Sequence, residues 1–174
     1  MNTKALIVLT SAAALSLSTT AWAQQQAPAP VPEQMPADIP YGTPISIEHA
    51  KKVADAAVAE ATKRGWPMCI AIVGPTGDLV YFEKMDDCQY ASVEISQNKA
   101  KAAARYRRPT VVFERLIAKG QYFDYLPTLG AGFTGSRGGN PIVAGGKIVG
   151  AIGVSGGTGS QDDTISQAGA AALK

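Results

Sequence analysis

Pro141-Ile142-Val143-Ala144-Gly145-Gly146-Lys147-Ile148-Val149-Gly150-Ala151-Ile152-Gly153-Val154-Ser155 is the stretch on which the fold turns. Apolar residues of strand type flank a glycine pair, and two adjacent glycines supply the backbone a tight hairpin turn needs. The reading is two antiparallel strands, 141–144 and 147–155. Upstream, Met68-Cys69-Ile70-Ala71-Ile72-Val73 and Leu79-Val80-Tyr81-Phe82 repeat the pattern around Gly74-Pro75-Thr76-Gly77-Asp78, a second hairpin.

Helices fill the intervals. Ser46 is an N-cap and Glu48 lies in the first turn. Ile47, Ala50, Ala54, Val58 and Ala61 then recur at helical spacing until Gly65 and Pro67 stop the run. A second helix runs from Ala91 to about residue 107 and ends before Pro109. A short third one spans 110–119, N-capped by Thr110 and closed by Gly120. Ser160 and Asp163 form a capping box for a last helix over 161–173. The order α-ββ-α-α-ββ-α predicts an α/β chain of the α+β type, a mainly antiparallel sheet with helices packed on it.

The flanks read differently. Lys4, an apolar run over 5–17 and Ala21-Trp22-Ala23 before Gln24 make a signal peptide, residues 1–23, cleaved near Ala23. Its apolar core is too short to span a bilayer. Residues 24–44 are a Pro/Gln-rich tract that cannot bury enough surface to order itself. The domain proper is 45–174, in a periplasmic or secreted protein. Of the 16 basic residues only Lys4 lies in the leader, so the exported chain is nearly neutral, 15 basic against 14 acidic side chains. Nucleic acid is not the expected partner, and no later segment is apolar enough to span a membrane. Cys69 and Cys88 are the only two thiols. In an oxidising compartment they could bridge, or Cys69 could be a buried strand residue and Cys88 an unrelated loop thiol.

Motifs exclude several chemistries. Gly156-Gly157-Thr158-Gly159-Ser160 precedes a helix, but no Lys-Ser/Thr follows, and Asp162 and Asp163 would repel phosphate. Two thiols and one histidine cannot close a zinc site. There is no Cys-x-x-Cys-His for covalent haem, no serine-hydrolase elbow and no zincin helix. What remains is cationic. At about 100° per residue Lys99 falls in the stripe of Ala91, Ile95, Ala102 and Tyr106. There it either snorkels at the edge or reaches inward to pair with an acid or a ligand carboxylate. Lys99, Lys101, Arg105, Arg107 and Arg108 cluster beside Tyr106 and Thr110, a setting suited to an organic anion or to a solvated helix end. His49, the only histidine, is placed opposite Ile47, on the surface near a helix start. There it is a poor acid/base catalyst but a possible iron ligand at a subunit contact.

Asn98-Lys99-Ala100-Lys101-Ala102-Ala103, Arg108-Pro109-Thr110, Gly138-Gly139-Asn140-Pro141-Ile142, the run Gly145–Gly156, Gln161-Asp162-Asp163 and Ala168-Gly169 together resemble the GlcG/HbpS family, which also forms the C-terminal domain of PduO-type proteins. The resemblance runs from about Ile45 to Lys174. It implies a five-stranded antiparallel sheet, a homo-oligomer, and in some members non-covalent haem binding or haem degradation. One exported member serves a sensor kinase, which implies a sensor or redox protein partner. On that reading Lys99, Arg107 and Arg108 face the haem propionates beside Tyr106 and Thr110, and His49 is a candidate iron ligand. Two alternatives stay open: an enzyme acting on a small organic acid or cofactor fragment around Lys99, and a ligand-free accessory protein acting through oligomerisation or partner contact.

Overall fold

A computed structural model describes residues 39–120 and 134–173. The leader, residues 24–38 of the lead-in tract, residues 121–133 and Lys174 lie outside them. The elements are α1 (Ile47–Arg64), β1 (Cys69–Val73), β2 (Leu79–Lys84), α2 (Ala91–Arg105), α3 (Val111–Ala118), β3 (Gly139–Ala144), β4 (Lys147–Ser155) and α4 (Gly159–Ala170), with a 3-10 turn over Ala171–Leu173. Among the described residues no helix is long and apolar enough to cross a membrane.

Both hairpins form, and they share one antiparallel sheet of order β2-β1-β4-β3. Gly145 and Gly146 turn the second hairpin with φ of 56° and 74°, the positive pair that side chains resist. Strand alternation then sorts the core. Ile70, Ile72, Ile152 and Val154 point to one face and meet Ala50, Val53, Ala54 and Ala57 of α1 and Ile165 of α4. Ala71, Val73 and Ala151 point to the other face and meet Ala100, Ala103 and Ala104 of α2.

The α2 side is built from small groups because the helix lies almost on the sheet. A Cβ on Gly153 would sit 2.0 Å from the Ser96 carbonyl oxygen, and one on Gly139 would sit 2.5 Å from that of Lys99. Of the glycines that looked like a possible phosphate cradle, Gly156 likewise serves close packing, since a Cβ there would lie 2.3 Å from Pro67 O. The buried face of α2 also differs from the expected stripe. Ser92, Ser96, Lys99, Ala100 and Ala103 are buried, whereas Ala91 is exposed and Ile95 half-buried. Serines take core positions because their hydroxyls find partners there, Ser155 donating to Ser92 (2.9 Å) and Ser96 to Val93 O (3.2 Å).

Among the described residues the sheet has four strands, where the resemblance implies five, and two further expectations need correction. Where β1 stops pairing with β4, at Val73↔Ala151, residues 40–45 take over. They make only a single parallel bridge, Tyr41↔Ile148. Pro40 and Pro44 have no N–H to extend it into a strand. The end of the lead-in tract is thus hydrogen-bonded along β4: Ile148 N donates to Pro40 O (2.9 Å), and Gly42 N and Ile45 N donate to Ile148 O and Val149 O (2.8 Å each). The last helix starts earlier than expected. Thr158, not Ser160, is its N-cap, and the capping box pairs Thr158 with Gln161. Thr110 has helical backbone and does not cap α3 with its side chain.

Cys69 opens β1 and Cys88 lies in the loop before α2. The two are joined as a buried disulfide, their Cα atoms 6.0 Å apart.

Candidate functional site

Lys99 is 2% exposed. From the middle of α2 its Nζ donates to Asp162 Oδ2 (2.6 Å) and to Val154 O (3.1 Å). Asp162 sits in the first turn of α4, where the helix dipole favours a carboxylate, and its Oδ1 accepts from Gly157 N (3.0 Å). The helix N-terminus that might have held a phosphate is occupied by its own aspartate. Gly138, at φ 110°, closes over the pair, since a Cβ there would lie 2.7 Å from Asp162 Cβ and 3.0 Å from Lys99 Nζ. Lys99 therefore pairs inward with an acid rather than snorkelling.

Thr110 belongs to the same centre. Fully buried, its hydroxyl accepts from Gly139 N and its own N–H donates to Gly139 O, both at 2.9 Å, tying the start of α3 to β3. Beside it Glu114 receives Arg137 through N (2.9 Å) and Nε (2.7 Å). Burial pushes the Glu114 carboxyl up, but the hydrogen bonds and charge of Arg137, helped by Lys99, outweigh it and hold the group below the ordinary glutamate range. A lowered folded-state pKa means a contribution that is complete above the unfolded value and lost as pH falls through the folded one. We therefore expect the urea midpoint of the native protein to exceed that of Glu114→Gln at neutral pH, with the gap closing as pH drops below about 4.5. A gap that stays constant down to pH 3 would contradict this assignment.

The other basic candidates divide. Arg108 is nearly buried, donates Nε to Tyr106 O (2.9 Å) and lies over the rings of Phe113 and Tyr106, which themselves meet edge to face. Arg107 remains half-exposed, its guanidinium over the Tyr41 ring. Lys99, Tyr106, Arg108 and Thr110 thus form internal ties between α2, α3, α4 and the sheet. None of these four is among the residues that line the cleft at Arg107.

His49 fares differently. Ile47, the residue used to mark the apolar face of α1, is 53% exposed, and the buried line is Ala50, Val53, Ala54, Ala57 and Ala61. His49 lies four residues before Val53, about 40° around the helix, so it edges the core rather than opposing it. Its N–H is held by the Ser46 cap (3.2 Å). The side chain borders a cleft of about 480 Å³ with Pro44, Ile45, Ala144, Val149 and Leu173, and Lys52 lies one turn further on the same rim. An imidazole, a set of apolar walls and one cation are the groups a non-covalent haem asks of a protein, for the iron, the ring and a propionate respectively. The residues present fit that group. Sequence reasoning had no signal for Lys52, because its place on the rim follows from the docking of residues 43–45 and the C-terminal turn.

An antiparallel sheet with helices on both faces defines an α+β domain. The profile described as "Haem degrading protein HbpS-like" matches residues 45–171, and the chain belongs to that family. It is 39% identical over 112 residues to Protein GlcG of Escherichia coli K12, a match spanning 64% of this chain and 81% of that protein. Among solved structures it resembles a complex of PduOC with heme, at 25% identity and TM-score 0.69, covering 76% of this chain and 96% of that one. A double mutant of HbpS from Streptomyces reticuli superposes with TM-score 0.68 at 30% identity, over 84% of this chain and 97% of that one.

Proposed function

We propose that the protein is an exported haem-binding protein that holds haem non-covalently in the cleft beside His49. The observation carrying this reading is the single histidine set on an apolar cleft with Lys52 next to it. Membership of a family described as haem-degrading and likeness to a haem complex support the same ligand. When bound, haem supplies a redox-active iron. His49 would hold it, Lys52 would face a propionate, and Ile45, Val149 and Leu173 would keep water from one side of the ring. Sequestration, degradation and redox sensing are the roles such a site serves. Self-association is part of the proposal, with the edge strand β2 and the exposed Leu79 and Tyr90 available for contacts.

Hemin titrated into residues 24–174 tests the reading. A saturable Soret shift at a fixed ratio per subunit is expected, and a linear, non-saturating response would sink it. Adding a reductant and oxygen to the complex then separates degradation, seen as loss of the Soret band, from storage.

A further inference from the structure

Arg107 follows α2 with φ 54°, a left-handed backbone that a residue of its size adopts only when its surroundings impose it. Its guanidinium stacks on Tyr41, 5.6 Å from the ring centroid. Tyr41 is itself pinned, its hydroxyl reaching Ala104 O and Arg105 O at 3.0 Å each. No carboxylate pairs with Arg107 among the described residues.

Arg107 lines a cleft of about 360 Å³, separate from that of His49, with apolar walls from Ile39, Pro109, Pro141, Val143 and Ala171. Ala170, Asn140 and Gln167 complete the lining. The nearby acid, Asp163, is already held: Asn140 Nδ2 donates to its Oδ1 (3.2 Å) and Gln167 Nε2 to its Oδ2 (2.7 Å). Asn140 Nδ2 also donates to Ser166 Oγ (2.7 Å). The lining of the cleft thus includes one cationic residue, Arg107, an apolar body and no carboxylate. A second anionic group on the ligand would lie against apolar walls without a partner.

We propose that this cleft binds an amphipathic monocarboxylate, its carboxylate on Arg107 and its hydrocarbon part against the proline and aliphatic walls. The chemistry is that of the guanidinium fork, which matches a carboxylate's two oxygens. The site is independent of the haem reading, because no lining residue is shared between the two clefts.

Hexanoate is the probe, with hexanamide as its uncharged match, each titrated calorimetrically into residues 24–174. Hexanoate is expected to saturate with Kd of about 1 mM, while hexanamide binds at least tenfold more weakly. Arg107→Gly should weaken hexanoate at least tenfold without lowering the melting temperature, since glycine accepts the positive φ freely. Arg107→Lys should recover part of the affinity. Hemin binding by Arg107→Gly should match that of the native protein, which keeps the two clefts distinguishable. Equal binding of hexanoate and hexanamide, no saturable binding of hexanoate, undiminished binding by Arg107→Gly, or loss of hemin binding in that variant would overturn the proposal.

Discussion

Lys99→Ala should destabilise the protein by about 3–5 kcal/mol, the range for removing one partner of a buried ion pair. The magnitude follows from what is left behind. Asp162 is 3% exposed and would keep only Gly157 N as a donor, while Val154 O would lose a partner in the interior. Four elements meet at this point, since Lys99 belongs to α2, Val154 to β4 and Asp162 to α4, with Gly138 leading into β3. Lys99→Met keeps most of the apolar stem and should cost less, and combining it with Asp162→Asn should recover part of that loss, because the uncompensated charge is gone. Urea unfolding of the single and double variants measures the coupling. A loss below about 1 kcal/mol in Lys99→Ala would show that the pair is solvated in solution. Such a result would also reopen Lys99 as a group able to meet a ligand.

Replacing both Cys69 and Cys88 by alanine should cost about 3 kcal/mol, the loop-closure value for a sequence separation of 19. The closed loop contains the whole β1–β2 hairpin, and Cys88 anchors the approach to α2, whose first buried residue is Ser92. The cost should appear at any pH and should be matched by reducing the native protein under conditions where it stays folded. Identical unfolding midpoints for oxidised and reduced protein would contradict the bridge. Stability held in this way suits an oxidising compartment, and it is the feature of the fold that most directly accords with the proposed export.

The parts of the fold written in local chemistry were legible. Gly145-Gly146 marks a turn by backbone conformation alone, Ser46 and Gly65 bracket α1, and the apolar runs on either side of the two turns form the four strands. What failed depended on contacts between distant segments. Serines on α2 look solvent-facing until Ser155 supplies a hydrogen-bond partner from β4. Thr158 and Ser160 are equally good caps in sequence, and the choice is made by where β4 delivers the chain. Lys99 stands in an apolar stripe of the sequence, and it is buried. That its partner is Asp162 has no signal in the sequence, since nothing local says that α2 and α4 meet. The basic cluster misled for the same reason. Net charge along a helix end shows where cations are, while only packing shows that Arg108 lies over Phe113 and that Arg107 stands at a different cleft. His49 is exposed, as a surface position near a helix start should be, although Ile47, 53% exposed, is a poor marker of the core line from which its angle is measured.

The central claim, haem held in the cleft at His49, is tested most directly by titrating hemin into His49→Ala beside the native protein and Thr110→Ala. His49 is exposed and its helix cap uses only its backbone N–H, so the variant should fold normally. The account predicts a saturable Soret shift in the native protein and in whatever fraction of Thr110→Ala remains folded. In His49→Ala it predicts affinity at least 100-fold lower, with an altered Soret position for the residual complex. Unchanged affinity and an unchanged spectrum in His49→Ala would place the iron elsewhere and contradict the account.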